Sequence, residues 1–83
     1  MRITVKYRAA LTELTKIAGE SIDAENVQDV LNHIKENYGA KTEKLAKTML
    51  IVVNGQSILQ LGHFKTGLQN EDEVSFLPIC GGG

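Results

Sequence analysis

The segment from Asn26 to Gly39 constrains the fold more than any other. Asn26 is a strong N-cap residue, Asp29 puts an acid into the first turn, and Gly39 supplies a stop. Between them Val27, Val30, Leu31, Ile34 and Tyr38 fall at i, i+3, i+4, i+7 and i+11. That spacing lays one apolar stripe along a three-turn helix, and the stripe needs a sheet to cover it. His33 falls beside the stripe, which reads as a surface or boundary position rather than a ligand.

The flanking segments supply the strands. Ile3, Val5 and Tyr7 alternate with Arg2, Thr4, Lys6 and Arg8, the period-two pattern of a half-buried strand. The period then changes: Leu11, Leu14, Ile17 and Ala18 predict a short helix over 9–18, with Gly19 as its C-cap. Glu20 to Asp23, centred on Ile22, reads as a short strand, and Lys41 to Lys47 as a surface turn or short helical excursion around Leu45. Met49 to Val53 is a continuous apolar run, which suits a strand buried on both faces. Asn54-Gly55 follows, the dipeptide of a type I′ hairpin, with Ser57 to Leu59 as the returning strand. Gly62 to Leu68 reads as a loop turning at Thr66-Gly67, Asn70 to Asp72 as a turn, and Glu73 to Ile79 as the last strand. That strand's apolar character places it centrally, parallel to the first. The order predicts an α+β fold: a mixed sheet of four or five strands with one long helix across one face.

Composition closes off other classes. Eighty-three residues make one small domain, and 42% apolar with 23% charged residues is an ordinary globular balance. Nine basic and ten acidic residues give a net charge of −1 with no block of one sign, so the electrostatic footprint of a nucleic-acid binder is missing. No apolar stretch is long enough to span a membrane, and the alternating N-terminus does not resemble a signal peptide, so a cytoplasmic protein is expected. A lone Cys80 allows no internal disulfide, and no CxxC or Cys/His cluster offers a metal site.

The body shows no catalytic constellation. Asp23, Glu25 and Asp29 surround a helix start, where acids complement the dipole. Glu71, Asp72 and Glu73 read as a solvated acidic turn, and His63 lies in a loop without a nucleophile. Gly55, Gly62 and Gly67 are separate turn residues, not a phosphate-binding loop. The closing segment differs. Leu77-Pro78-Ile79-Cys80 runs directly into Gly81-Gly82-Gly83. The division predicted is a folded body over 1–79 and a flexible glycine-rich tail over 80–83. Five residues from Ile79 reach about 17 Å, at roughly 3.3–3.6 Å each, and glycines thread channels that side chains would block.

With these residues in place, the chain resembles the small subunits of molybdopterin synthase, ubiquitin-like sulfur carriers of β-grasp fold that end in Gly-Gly. The likeness covers nearly the whole sequence: Met1 to Leu14 as strand and short helix, Val27 to Ile34 as the amphipathic helix, Ile51 to Gly55 entering a turn. It is most specific over Leu68 to Gly82, LQNEDEVSFLPICGG, an acidic turn, a Val-x-Phe strand, Pro and Gly-Gly. The related thiamine-pathway carriers are shorter. Two departures stand out: Leu77-Pro78 replaces a frequent pair of prolines, and a third glycine, Gly83, follows the usual terminus.

The resemblance implies a protein co-substrate rather than an enzyme. An adenylating activating enzyme would use ATP on the C-terminal carboxylate, and a sulfur donor protein would convert it to a thiocarboxylate. The large synthase subunit would then receive the tail and pass its sulfur to a pterin precursor. No cofactor would be bound by the chain itself. The reactive group would sit on Gly83, or on Gly82 after trimming, with Gly81 completing the tail. A related carrier for tRNA thiolation, a protein modifier using the same terminus, and a non-covalent β-grasp module with an inert tail are the alternatives. Docking falls to the body. Val74 and Phe76 point one way along the last strand, and Ser75, Leu77 and Ile79 the other. With the first pair facing the helix, Leu77, Pro78 and Ile79 should form an exposed apolar patch, joined by Tyr7 and by Ile58 or Leu59. Cys80 is expected to react readily with alkylating reagents, but nothing in the sequence lowers its pKa for a sulfur relay.

Overall fold

The computed structural model describes residues 1–79. Eight principal elements follow in order: β1 (Arg2–Tyr7), α1 (Ala10–Thr15), β2 (Gly19–Asp23), α2 (Val27–Tyr38), α3 (Ala40–Thr48), β3 (Leu50–Val53), β4 (Gln56–Ser57) and β5 (Glu73–Leu77). Two 3-10 turns, Ile58–Gln60 and His63–Lys65, lie between β4 and β5. The strands form one five-stranded sheet in the order β2-β1-β5-β3-β4. β5 is central and parallel to β1, with Tyr7 beside Phe76, and antiparallel to β3, with Leu50 beside Leu77. No helix among the described residues is long and apolar enough to cross a membrane.

α2 forms as its sequence dictates. The Asn26 side chain accepts from the Asp29 backbone N–H at 2.8 Å, and the Asp29 carboxylate accepts from the Glu25 N–H in return. Its stripe of Val27, Val30, Leu31 and Ile34 is fully buried against Ile3, Val5, Tyr7, Val74 and Phe76 of the central strands. At roughly 1.5–3 kcal/mol for each fully buried aliphatic or aromatic side chain, this contact dominates the stability of the fold. The β3–β4 turn is also as read: Asn54 and Gly55 both have positive φ, 51° and 85°, which the tight hairpin requires.

Several boundaries differ, each for a local reason. The first helix covers only Ala10–Thr15, because Ala9 (φ 53°) and Lys16 (φ 69°) leave the helical region on either side. Leu14 and Ile17 are consequently exposed, and Gly19 opens β2 instead of capping a helix. The 41–47 segment belongs to a full helix, α3, whose Thr42 and Ala46 are buried. β3 is not buried on both faces: Ile51 and Val53 point into the core while Leu50 and Val52 are half-buried on the other side. The returning strand stops at Ser57, whose hydroxyl accepts from the Leu59 N–H and starts a 3-10 turn. β5 ends at Leu77, before Pro78, which has no N–H to donate to the sheet.

Candidate functional site

The helices occupy one face of the sheet, so the opposite face is open. Along β5 Val74 and Phe76 have no exposed surface; on the other side Ser75 is also buried, Leu77 is half-buried, and beyond the strand Ile79 is 67% exposed. Leu77 pairs across the sheet with Leu50, and the two set a half-buried apolar pair where the chain leaves β5. Beside it a groove of about 150 Å³ is lined mainly by Met49, Leu50, Ile58, Leu59, Phe64 and Ile79. Its exposed wall comes from the 3-10 turns, where Leu59 is 67% exposed and Phe64 37%. Thr66 holds this wall in place, its hydroxyl accepting from the Gly62 N–H and donating to the His63 carbonyl.

The residues expected on this surface separate into two groups. Leu59, Leu77, Pro78 and Ile79 do gather at the exit of β5, exposed or half-buried. Tyr7 does not. It shares a face with Ile3 and Val5, stacks at a tilt on Phe76 with ring centroids 6.3 Å apart, and is only 1% exposed. Ile58 is likewise in the core. Phe64, Leu50 and Met49 were missed, since nothing in a loop or a continuous apolar run tells which side chains remain uncovered. The expected tail, Cys80 and Gly81 to Gly83, lies outside the described residues.

Tyr7 instead belongs to a polar cluster at the β2 edge. The Oε2 atom of Glu20 accepts from the Tyr7 hydroxyl at 2.6 Å and the Tyr38 hydroxyl at 2.7 Å, and lies 3.0 Å from His33 Nε2. Nδ1 of His33 faces the Asn37 side-chain amide at 3.3 Å. Partial burial works against the Glu20 charge, but these hydrogen bonds outweigh it and hold the carboxyl below its ordinary range. Burial first, then the bond to Glu20, pushes the Tyr38 phenol up to about 12 and raises Tyr7 as well. The cluster ties β1, β2 and α2 together. These bonds, from a strand and a helix to one carboxylate on a second strand, brace the fold.

The acidic turn also has structural work. Asp72 accepts from the Gln69 N–H and from the Asn54 side-chain amide, and Glu73 pairs with Lys6 at 2.9 Å. No group of three or more His, Cys, Asp or Glu suited to a metal is present among the described residues.

A β-grasp domain with an apolar surface at the root of a C-terminal glycine segment is the architecture of the ubiquitin-like sulfur carriers. The chain belongs to the ThiS family, whose model matches residues 5–83. The solution structure of small archaeal modifier protein 1 from Methanosarcina acetivorans is similar, at TM-score 0.84 and 26% identity over 99% of this chain and 96% of that one. A complex of subunits 1 and 2 of molybdopterin-converting factor from Helicobacter pylori contains a chain of the same fold, at TM-score 0.72 and 22% identity over 100% of both. So does the BexX/CysO complex of Amycolatopsis orientalis, at TM-score 0.82 and 17% identity over 98% and 99%. Among curated proteins no sequence relative is found.

Proposed function

We propose that this chain is a protein co-substrate in sulfur transfer, acting in the cytoplasm, with its C-terminal carboxylate as the one reactive group. The observation that carries this reading is the match to the ThiS family over a segment that includes Gly81 to Gly83. An α-carboxylate, with an ordinary pKa of about 3.3–3.7, is ionised at neutral pH and attacks the α-phosphate of ATP, expelling pyrophosphate. The activating enzyme holds the nucleotide and stabilises the charge that develops; the carrier contributes the nucleophile and a surface that aligns it. A sulfur donor protein then replaces the adenylate with sulfur. Leu59, Leu77, Pro78 and Ile79 form the docking surface that presents the tail. In the first reading the acceptor is the large subunit of a molybdopterin synthase, and the sulfur enters the molybdenum or tungsten cofactor.

A second reading is favoured by the likeness to small archaeal modifier protein 1, the one of these three structures above a quarter identity. Here the same activated terminus is joined to lysines of other proteins, or its sulfur goes to tRNA. Both readings share the first step, tested by incubating the chain with ATP, the activating enzyme and a sulfur donor and measuring intact mass. Replacement of one oxygen by sulfur is the expected gain; an unchanged mass rejects both. Capture of a synthase large subunit then selects the first reading, and conjugates in cell extracts the second. Adenylation of chains ending at Gly81, Gly82 and Gly83 locates the reactive residue. A carboxylate displaced by about 3.5 Å, one residue's length, is expected to react far more slowly at a given active site.

A further inference from the structure

The tip of the β3–β4 hairpin carries a reactive pair of residues. Asparagine stands at positions 26, 32, 37, 54 and 70, and only Asn54 is followed by glycine. Asn54 and Gly55 are both exposed, and a Cβ on Gly55 would meet nothing within 4 Å. With no side chain on the following residue, nothing at Gly55 obstructs an approach of its amide nitrogen to the Asn54 side-chain carbon, Cγ.

The fold holds that side chain elsewhere. Asn54 Oδ1 accepts from the Glu73 N–H at 2.9 Å, and Asn54 Nδ2 donates to Asp72 Oδ1 at 2.8 Å. The Asn54 N–H in turn donates to the Glu73 carbonyl at 2.8 Å. Asp72 is itself fixed: its Oδ2 accepts from the Gln69 N–H and its carbonyl from the Thr4 N–H. Both ends of the Asn54 amide are therefore tied to the entrance of β5. Turning Cγ onto the Gly55 nitrogen means giving up both side-chain bonds, one of them to a charged acceptor.

We propose that Asn54 is a modification site that reacts with water alone, and that Asp72 and Glu73 latch it shut in the folded protein. When the latch opens, the Gly55 nitrogen loses its proton to hydroxide and bonds to Cγ. Nδ2 leaves as ammonia, which closes a five-membered imide. Water then opens the ring. Breaking the new Cγ–N bond gives aspartate; breaking the original backbone C–N bond gives isoaspartate, with the chain rerouted through the side chain. Either product undoes the latch. Aspartate puts a carboxylate where Nδ2 met Asp72 at 2.8 Å, so a like charge replaces a donor. Isoaspartate adds an atom to a turn whose length sets the β3–β4 register. That hairpin leads directly to Ile58 and Leu59, which line the groove beside Ile79.

The test follows the full chain in mildly alkaline buffer. A lysine-specific protease releases the 48–65 segment, in which Asn54 is the one asparagine, and its mass and isoaspartate content report conversion. In urea, Asn54 of the wild type should convert faster than the other asparagines, and in the folded protein about tenfold more slowly or less. Asp72→Ala should speed conversion in the folded chain by about tenfold, the effect of losing one hydrogen bond to a charged group. Asp72→Asn keeps an acceptor oxygen and should stay near the wild-type rate, as should Leu77→Ala at the far end of β5. The proposal is overturned if folded and unfolded wild type convert equally fast, if Asn54 converts in neither, or if Asp72→Ala matches wild type. Equal acceleration by Asp72→Asn or by Leu77→Ala also overturns it, because the rate is then set by charge or by global unfolding and not by the latch. Apart from the chemistry, Asn54→Asp should lower the melting temperature by about 4 °C or more. An unchanged melting temperature would mean that no latch had been lost, and it too would overturn the proposal.

Discussion

Tyr7 ends β1 and Arg8 follows it, and the two show two ways of handling a polar group. Tyr7 points inward, stacks on Phe76, and spends its hydroxyl on Glu20. Arg8 points outward with no carboxylate beside it among the described residues. The same contrast runs through β5, where Phe76 is sealed and Leu77 is left half open. Inside, a polar atom must be satisfied because leaving it unpaired costs on the order of 1–3 kcal/mol. Outside, an unpaired cation stays hydrated and costs little. The large apolar side chains of the core are concentrated on the helix-covered face of the sheet.

Substitutions at paired positions can break this division. Phe76→Ala should have the largest effect, about 3–5 kcal/mol, because it opens a cavity at the centre of the core. For a domain of this size that lowers the melting temperature by more than roughly 12 °C. Leu77→Ala, on the next residue, should cost only about 1 kcal/mol. Equal melting shifts for the two would refute the assignment of faces.

Tyr7→Phe keeps the ring and removes one donor to a charged carboxylate, an expected loss of about 1.5–3 kcal/mol. The Glu20 cluster also predicts a pH profile. Its carboxyl is depressed in the fold, so its contribution is present above the ordinary carboxylate value of about 4.3 and fades as the pH falls through the lower folded value. The phenols of Tyr7 and Tyr38 are raised, so their contribution is complete below about pH 10 and declines above it, where the unfolded chain ionises first. Melting temperature against pH should therefore show a plateau with two falling limbs. Glu20→Gln should flatten the acid limb, and Tyr7→Phe combined with Tyr38→Phe the alkaline one; limbs that persist in these variants would remove the cluster from the explanation. Leu59→Ala should change stability least, within about 0.5 kcal/mol, while weakening capture by the partner.

The sequence by itself determined the elements whose signals are local. Asn26, the stripe from Val27 to Tyr38 and the Asn54-Gly55 turn each act within a few residues, and each forms as read. The central, parallel position of β5 was legible because apolar strands favour the middle of a sheet. That Leu77 and Ile79 lie away from the helices followed from alternation along that strand.

Only the tertiary structure decided which apolar side chains stay uncovered. Alternation assigns Tyr7 to one face of β1 but does not say that this is the face carried under α2; the pairing of Tyr7 with Phe76 decides that. Composition cannot bring Glu20 from β2, Tyr7 from β1, and His33 and Tyr38 from α2 to one oxygen atom, because those residues meet only through the packing of three elements.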